Sequence, residues 1–122
     1  MQYINYVSEA PIHSIIETTA FTRRLKDLGV SVDELASIYD VYAAVPDYGK
    51  LLRNTGGLRK GRVAKDATGK SGGYRVFSFY MDHTNPVFLL WLIDKSDDDG
   101  LTDAQENLFR TLTTALKKAL RP

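Results

Sequence analysis

The stretch TGGLRKGRVA at residues 55–64, followed by GKSGGYRV at residues 69–76, decides how the rest of the chain is read. Each half alternates with a period of two and the two are separated by turn residues, so they read as neighbouring strands of one hairpin. Strands are expected at about Gly57 to Lys65 and Gly73 to Met81, with a turn at Ala67 to Gly72. A third run, Val87 to Ile93, follows a second turn at Asp82 to Pro86. It is apolar on both faces, the pattern of a central strand covered on both sides. Alternation puts Lys60 and Arg62 on one face of the first strand and Gly61 and Val63 on the other. In the second strand Arg75 shares a face with Phe77 and Phe79. A register that sets Arg75 beside Lys60 and Arg62 would gather three positive charges in one patch, and an anion is the simplest way to satisfy such a cluster.

Working outward, the period changes to that of helices. His13 to Glu17 suits a short strand, and Thr18 or Thr19 can cap a helix from about Ala20 to Leu28, with Phe21, Leu25 and Leu28 on one face and Gly29 ending it. Ser31 and Glu34 form an S-x-x-E capping box, which opens a second helix that Pro46 ends near Ala44. Towards the C-terminus, Thr102 and Gln105 offer a second box, and Leu101, Ala104, Leu108, Leu112, Ala115, Leu116 and Ala119 trace the apolar stripe of a closing helix. The fold class is therefore α+β: an antiparallel sheet with two N-terminal helices and a C-terminal helix. Residues 1–12 read as an N-terminal extension and residues 13–122 as a single domain.

Composition narrows the function classes. A chain of 122 residues, 43% hydrophobic and 25% charged, suits one globular core. There is no cysteine, which rules out thiolate chemistry and disulfides and makes a reducing cytoplasm the expected location. The longest apolar run is far shorter than a membrane span, and the start lacks the pattern of a leader, so no membrane is expected. Net charge is only +1, yet residues 50–75 hold eight basic side chains against one acid, a local +7 that leaves −6 for the remainder. Such an uneven field favours a phosphate-bearing ligand.

A basic hairpin is as often a solvated face as a binding site, so the segment's other residues matter. Glycines at 56, 57, 61, 69, 72 and 73 would let a nucleic-acid backbone approach closely. Phe77, Phe79 and Tyr80 beside Arg75 supply the aromatic and basic mixture on which unpaired bases stack, although aromatics in strands are more often core. Arg59, Lys65 and Lys70, with Phe77, are the further candidates for RNA binding. His13 and His83 are far apart, with His83 in a turn; Asp97 to Asp99 lacks the spacing of a calcium loop; Trp91 reads as core. No metal or cofactor is expected.

The two quoted motifs, the apolar strand running into Ile93-Asp-Lys95 and the helix headed by Leu101-Thr102 resemble the RelE/HigB toxins of type II toxin–antitoxin pairs, and are most similar to a HigB-like branch with TGGLRK and GKxGGxR motifs. The resemblance runs from about Ile15 to Leu120. It implies a strand, two helices, an antiparallel sheet and a final helix. It also implies a cytoplasmic, metal-free endoribonuclease that cuts mRNA on the ribosome and is neutralised by a cognate antitoxin. In such a cut the ribose 2′-hydroxyl attacks the adjacent phosphate and a 5′-hydroxyl leaves, which needs a base, an acid and positive charge around the phosphate.

Carried over position by position, the resemblance makes Lys60 and Arg62 the paired phosphate-holding cations, with Lys60 the better placed to help activate the 2′-hydroxyl. Arg75 would stabilise transition-state charge and Lys95 would face the leaving oxygen. Three departures stand out. Asp94-Lys-Ser-Asp97 replaces a Gly-Lys-Asn-Glu run, Gly61 replaces a bulky apolar residue, and no C-terminal Tyr or His offers itself as general acid. Two alternatives remain on the sequence: a non-catalytic nucleic-acid-binding or decayed toxin domain, and a gyrase-targeting toxin of the same superfold.

Overall fold

The computed structural model describes residues 13–65, 73–94 and 100–120. The elements run β1 (Ile15–Glu17), α1 (Thr19–Asp27), α2 (Val32–Ala44), β2 (Lys50–Leu51), β3 (Leu58–Val63), β4 (Tyr74–Phe79), β5 (Val87–Asp94) and α3 (Asp103–Leu120). They build one five-stranded sheet in the order β1-β5-β4-β3-β2, an α+β fold. The expected extension, residues 1–12, and the first turn, residues 67–72, lie outside the described residues.

Local chemistry sets the helix ends. Thr18 caps α1 by accepting from the Phe21 amide at 3.2 Å. At the other end Gly29, with φ +66°, lets its own amide reach Lys26 O and the Val30 amide reach Leu25 O, the paired bonds of a Schellman stop. Both capping boxes form. Ser31 and Glu34 exchange bonds of 2.9 and 3.1 Å at the start of α2, and Thr102 and Gln105 do the same ahead of α3. The turn before β5 is tied by Asp82, whose carboxylate accepts from Thr84 and Asn85. Those bonds hold its carboxyl below the usual range.

Each face of the sheet buries its own apolar set. On one face Phe21, Ile38 and Tyr42 from α1 and α2 pack with Val63, Tyr74, Val76, Val87, Leu89 and Leu92. On the other, Phe109 of α3 packs with Leu58, Phe77, Phe79, Phe88, Leu90 and Ile93. Between them β5 carries a bulge: Phe77 pairs with Trp91 but Ser78 with Leu89, so Leu90 is an extra residue and shifts the alternation.

The sheet departs from expectation in three ways. It is mixed, because β1 pairs with β5 in parallel, a direction that alternation of side chains cannot encode. The middle strand is β4, buried at all six positions, with β5 second from the edge. The third is a strand that periodicity did not mark, the two-residue β2.

The stripe of α3 is also rotated from the one expected. Phe109 and Thr113 are its buried residues, with Leu101, Leu112, Leu116 and Leu120 packed beside them, whereas Leu108 is 63% exposed. Thr113 can turn inward because its hydroxyl is satisfied there, donating to Thr55 O at 2.9 Å and Arg110 O at 3.0 Å.

Candidate active site

In the β3–β4 register Arg62 lies directly opposite Arg75, and Lys60 directly opposite Phe77. Directly paired side chains leave the same face of the sheet with Cβ atoms ~5 Å apart, and positions two apart on one strand are separated by roughly 7 Å. Lys60, Arg62 and Arg75 thus share one patch on the face that α3 partly covers. Arg75 sits deepest, at 7% exposure; Lys60 is half-buried and Arg62 is exposed. Lys60 and Arg75 each make further interactions, as a partly desolvated cation must. None of the strand residues on this face, from Leu58 through Ile93, is a histidine or a carboxylate.

The other candidates scatter. Lys65 forms an ion pair with Asp94 at 2.6 Å, and Asp94, opposite Tyr74, lies on the α1–α2 face. The carboxylate at 94, the first residue of the departing Asp94-Lys-Ser-Asp97 run, therefore belongs to Lys65 and to the far side of the sheet. Arg59 pairs with Ser78, also across the sheet from Lys60, and donates to Gly49 O at 3.3 Å. Phe77 is on the patch face but 1% exposed within the α3 core, so its role as an RNA-stacking ring is corrected to packing. Lys70 and Lys95 lie outside the described residues.

The histidines are structural or solvated. His13 Nε2 is 2.6 Å from Asn85 O, and its ring meets Tyr80 edge-on with centroids 5.3 Å apart. Tyr80 is five residues along the strand from Arg75, roughly 16 Å away. His83 is exposed in its turn. Among the described residues no group of three or more His, Cys, Asp or Glu could hold a metal ion. No helix of those residues is long and apolar enough to cross a membrane.

Four of the motif glycines serve the protein and not an incoming backbone. A Cβ on Gly56 would lie 2.8 Å from Thr113 Oγ1, one on Gly57 3.1 Å from the Phe79 ring, and one on Gly73 2.7 Å from Val63 O. Gly56 and Gly57 also have φ of +76° and +118°. Thr55 completes this corner: its hydroxyl donates to Leu52 O at 2.8 Å and accepts from the Leu58 amide at 3.0 Å. The TGG motif is a seat for α3. Gly61 has a different neighbour, Tyr48, whose ring carbons would be 2.6 and 2.7 Å from an added Cβ. It makes room for that ring.

Tyr48 is the residue that sequence reasoning missed. Beyond Lys60 the short β2 no longer pairs with β3, and the Tyr48 hydroxyl donates to the bare Arg62 O at 2.5 Å. Its ring stacks edge-on against Tyr42, centroids 5.6 Å apart. The one signal in the sequence was a glycine at 61 in an otherwise filled strand, which marks a close approach without saying by what.

A family model described as the RelE toxin of the RelE / RelB toxin–antitoxin system matches residues 14–121, nearly the whole chain. The order of strands and helices, the two-sided sheet and the cationic patch beside α3 all lie within that match. The chain belongs to the RelE toxin family of toxin–antitoxin systems.

Proposed function

We propose that this toxin is an endoribonuclease of the HigB-like branch, cutting mRNA on the ribosome by attack of a 2′-hydroxyl on the adjacent phosphate. Family members are generally translation-linked endoribonucleases, which supports this reaction class. The observation that carries the reading to this chain is Arg62 facing Arg75 across the β3–β4 pair with Lys60 one pleat along. A phosphate over this patch meets two planar guanidiniums, which suit its oxygens as bidentate donors. Arg62, at the rim, receives the backbone, and Lys60 stands by the 2′-hydroxyl. Arg75, held by the core, stays in place as charge builds on the pentavalent phosphate, the condition under which a donor favours the transition state over the substrate. For Lys95 the role at the leaving oxygen rests on the sequence motif alone. The reaction runs in the cytoplasm, and the cognate antitoxin silences it by covering this face.

Expression of the wild type and of Arg75→Ala, with 5′-hydroxyl mRNA ends mapped in both, tests the reading. The wild type should stop growth and leave such ends, and the variant should lose both, by ~100-fold or more in rate if one transition-state donor is removed. Intact messages with the wild type would overturn it. A second reading, an RNA-binding domain without cleavage, draws on the absence of histidine and carboxylate from the strand positions of the patch. It predicts RNA binding that weakens with salt and leaves messages whole.

A further inference from the structure

A cleft of about 630 Å³ opens between α2 and the unpaired end of β3. Ser31, Asp33 and Ser37 line it from the helix; Tyr48, Arg62 and Lys65 line it from the strand side, with Val41 and Val63 as apolar wall. Its size falls in the range of small-ligand sites, ~300–1,000 Å³. We propose that this cleft is a nucleoside subsite, taking a base that carries an exocyclic amine next to the phosphate held by Arg62. The assignment of that phosphate rests on the nuclease reading above.

Arg62 connects the two places. Its position in β3 aligns it with Arg75 on the α3 face, yet it also lines the cleft, because β2 stops at the partner of Lys60 and past that point the Tyr48 side chain, not a strand, meets the edge. A strand of RNA with one phosphate on Arg62 can therefore pass round this edge without displacing another strand. The lining holds two cations, Arg62 and Lys65, on the strand side and two carboxylates, Asp33 and Glu34, on the helix side. Carboxylates repel a phosphate and an acidic peptide alike, whereas they accept from the amine of cytosine or of a purine. The two acids differ in what they have to spare. Glu34 Oε1 already accepts from the Ser31 amide at 2.9 Å and the Tyr74 hydroxyl at 3.0 Å. Asp33 is exposed and makes no hydrogen bond among the described residues, so both of its oxygens are available to a ligand, against one of Glu34. The Tyr48 ring and the two valines give a base its apolar contact.

The subsite thus selects against uridine, which has no exocyclic amine. Titration of the intact chain with 5′-CMP and with 5′-UMP, followed by amide chemical shifts, tests this without any cleavage. 5′-CMP should move the amides of Ser37, Val41, Tyr48 and Ala64 saturably, and 5′-UMP should bind about tenfold more weakly, the value of one good base-edge contact. Asp33→Asn should erase most of that difference, with α2 still giving native amide dispersion. Shifts confined to the Lys60 and Arg75 surroundings, equal binding of the two nucleotides, or saturation of the cleft only by an acidic peptide would each overturn the subsite. Intact messages together with selective cleft shifts would sink the nuclease reading and leave the subsite standing; cleavage without cleft shifts would do the reverse.

Discussion

At the scale of single residues, Gly61 shows how a small side chain can be required by a large one. Any Cβ there meets the Tyr48 ring and the Tyr42 hydroxyl, the latter at 2.8 Å. Gly61→Ala should cost about 1–3 kcal/mol by overpacking, read as a lower urea midpoint with an unchanged slope. Tyr39 makes a second test. Burial first, and then its hydrogen bond to the Glu17 carboxylate, push its hydroxyl up from 10.0 to about 12. The folded state thus holds this proton where the unfolded chain has released it. The resulting stability is complete below pH 10 and is lost as pH rises towards about 12. Urea midpoints between pH 9 and 11 should fall, and Tyr39→Phe should flatten part of that fall. Burial also raises Tyr42 and Tyr74, which contribute in the same direction.

At the scale of elements, α3 is docked by polar pins as well as by its apolar stripe. Thr113 donates to Thr55 O, and Arg110 Nε donates to Asn54 O at 2.5 Å. Thr113→Val keeps the shape and deletes the donor, which should cost about 1–3 kcal/mol because Thr55, 1% exposed, loses a partner for its carbonyl. The rotated stripe gives a sharper contrast. Phe109→Ala should cost about 3–5 kcal/mol and Leu108→Gln less than about 0.5, measured as paired thermal unfolding curves. The opposite ranking would restore the stripe read from sequence. On the far edge, β1 covers only three residues of β5, and side chains of α1 finish the work. Thr18 bonds Leu89 O, and Arg24 bonds Leu92 O at 3.0 Å with its guanidinium 4.6 Å over Trp91. This closes an edge that would otherwise pair with another chain.

At the scale of the whole molecule, the uneven charge is the property that RNA would meet first. Three phosphate contacts predict that log K for single-stranded RNA falls against log salt with a slope of about −2, and Arg62→Ala should shallow it by roughly 0.7. Equal slopes in the two proteins would remove Arg62 from the contact. A slope near zero in the wild type would remove the patch.

Much of this architecture was legible in the chain itself wherever the governing interaction is local. Caps, the Gly29 stop and the faces of β3 and β4 depend on neighbours within a few residues, so spacing alone settled that Lys60 and Arg62 lie together. The convergence of Arg75 on them needed the pairing of β3 with β4, which spacing permits but does not choose. Other features were decided by contacts between distant segments. The parallel pairing of β1, the bulge at Leu90, the inward turn of Thr113 and the ion pair of Lys65 with Asp94 all depend on residues 11 to 72 positions away. The glycines mark the boundary between the two kinds of information. A missing side chain announces a close approach, but only packing in three dimensions determines that the neighbour is a threonine, a phenylalanine or a tyrosine of the protein's own.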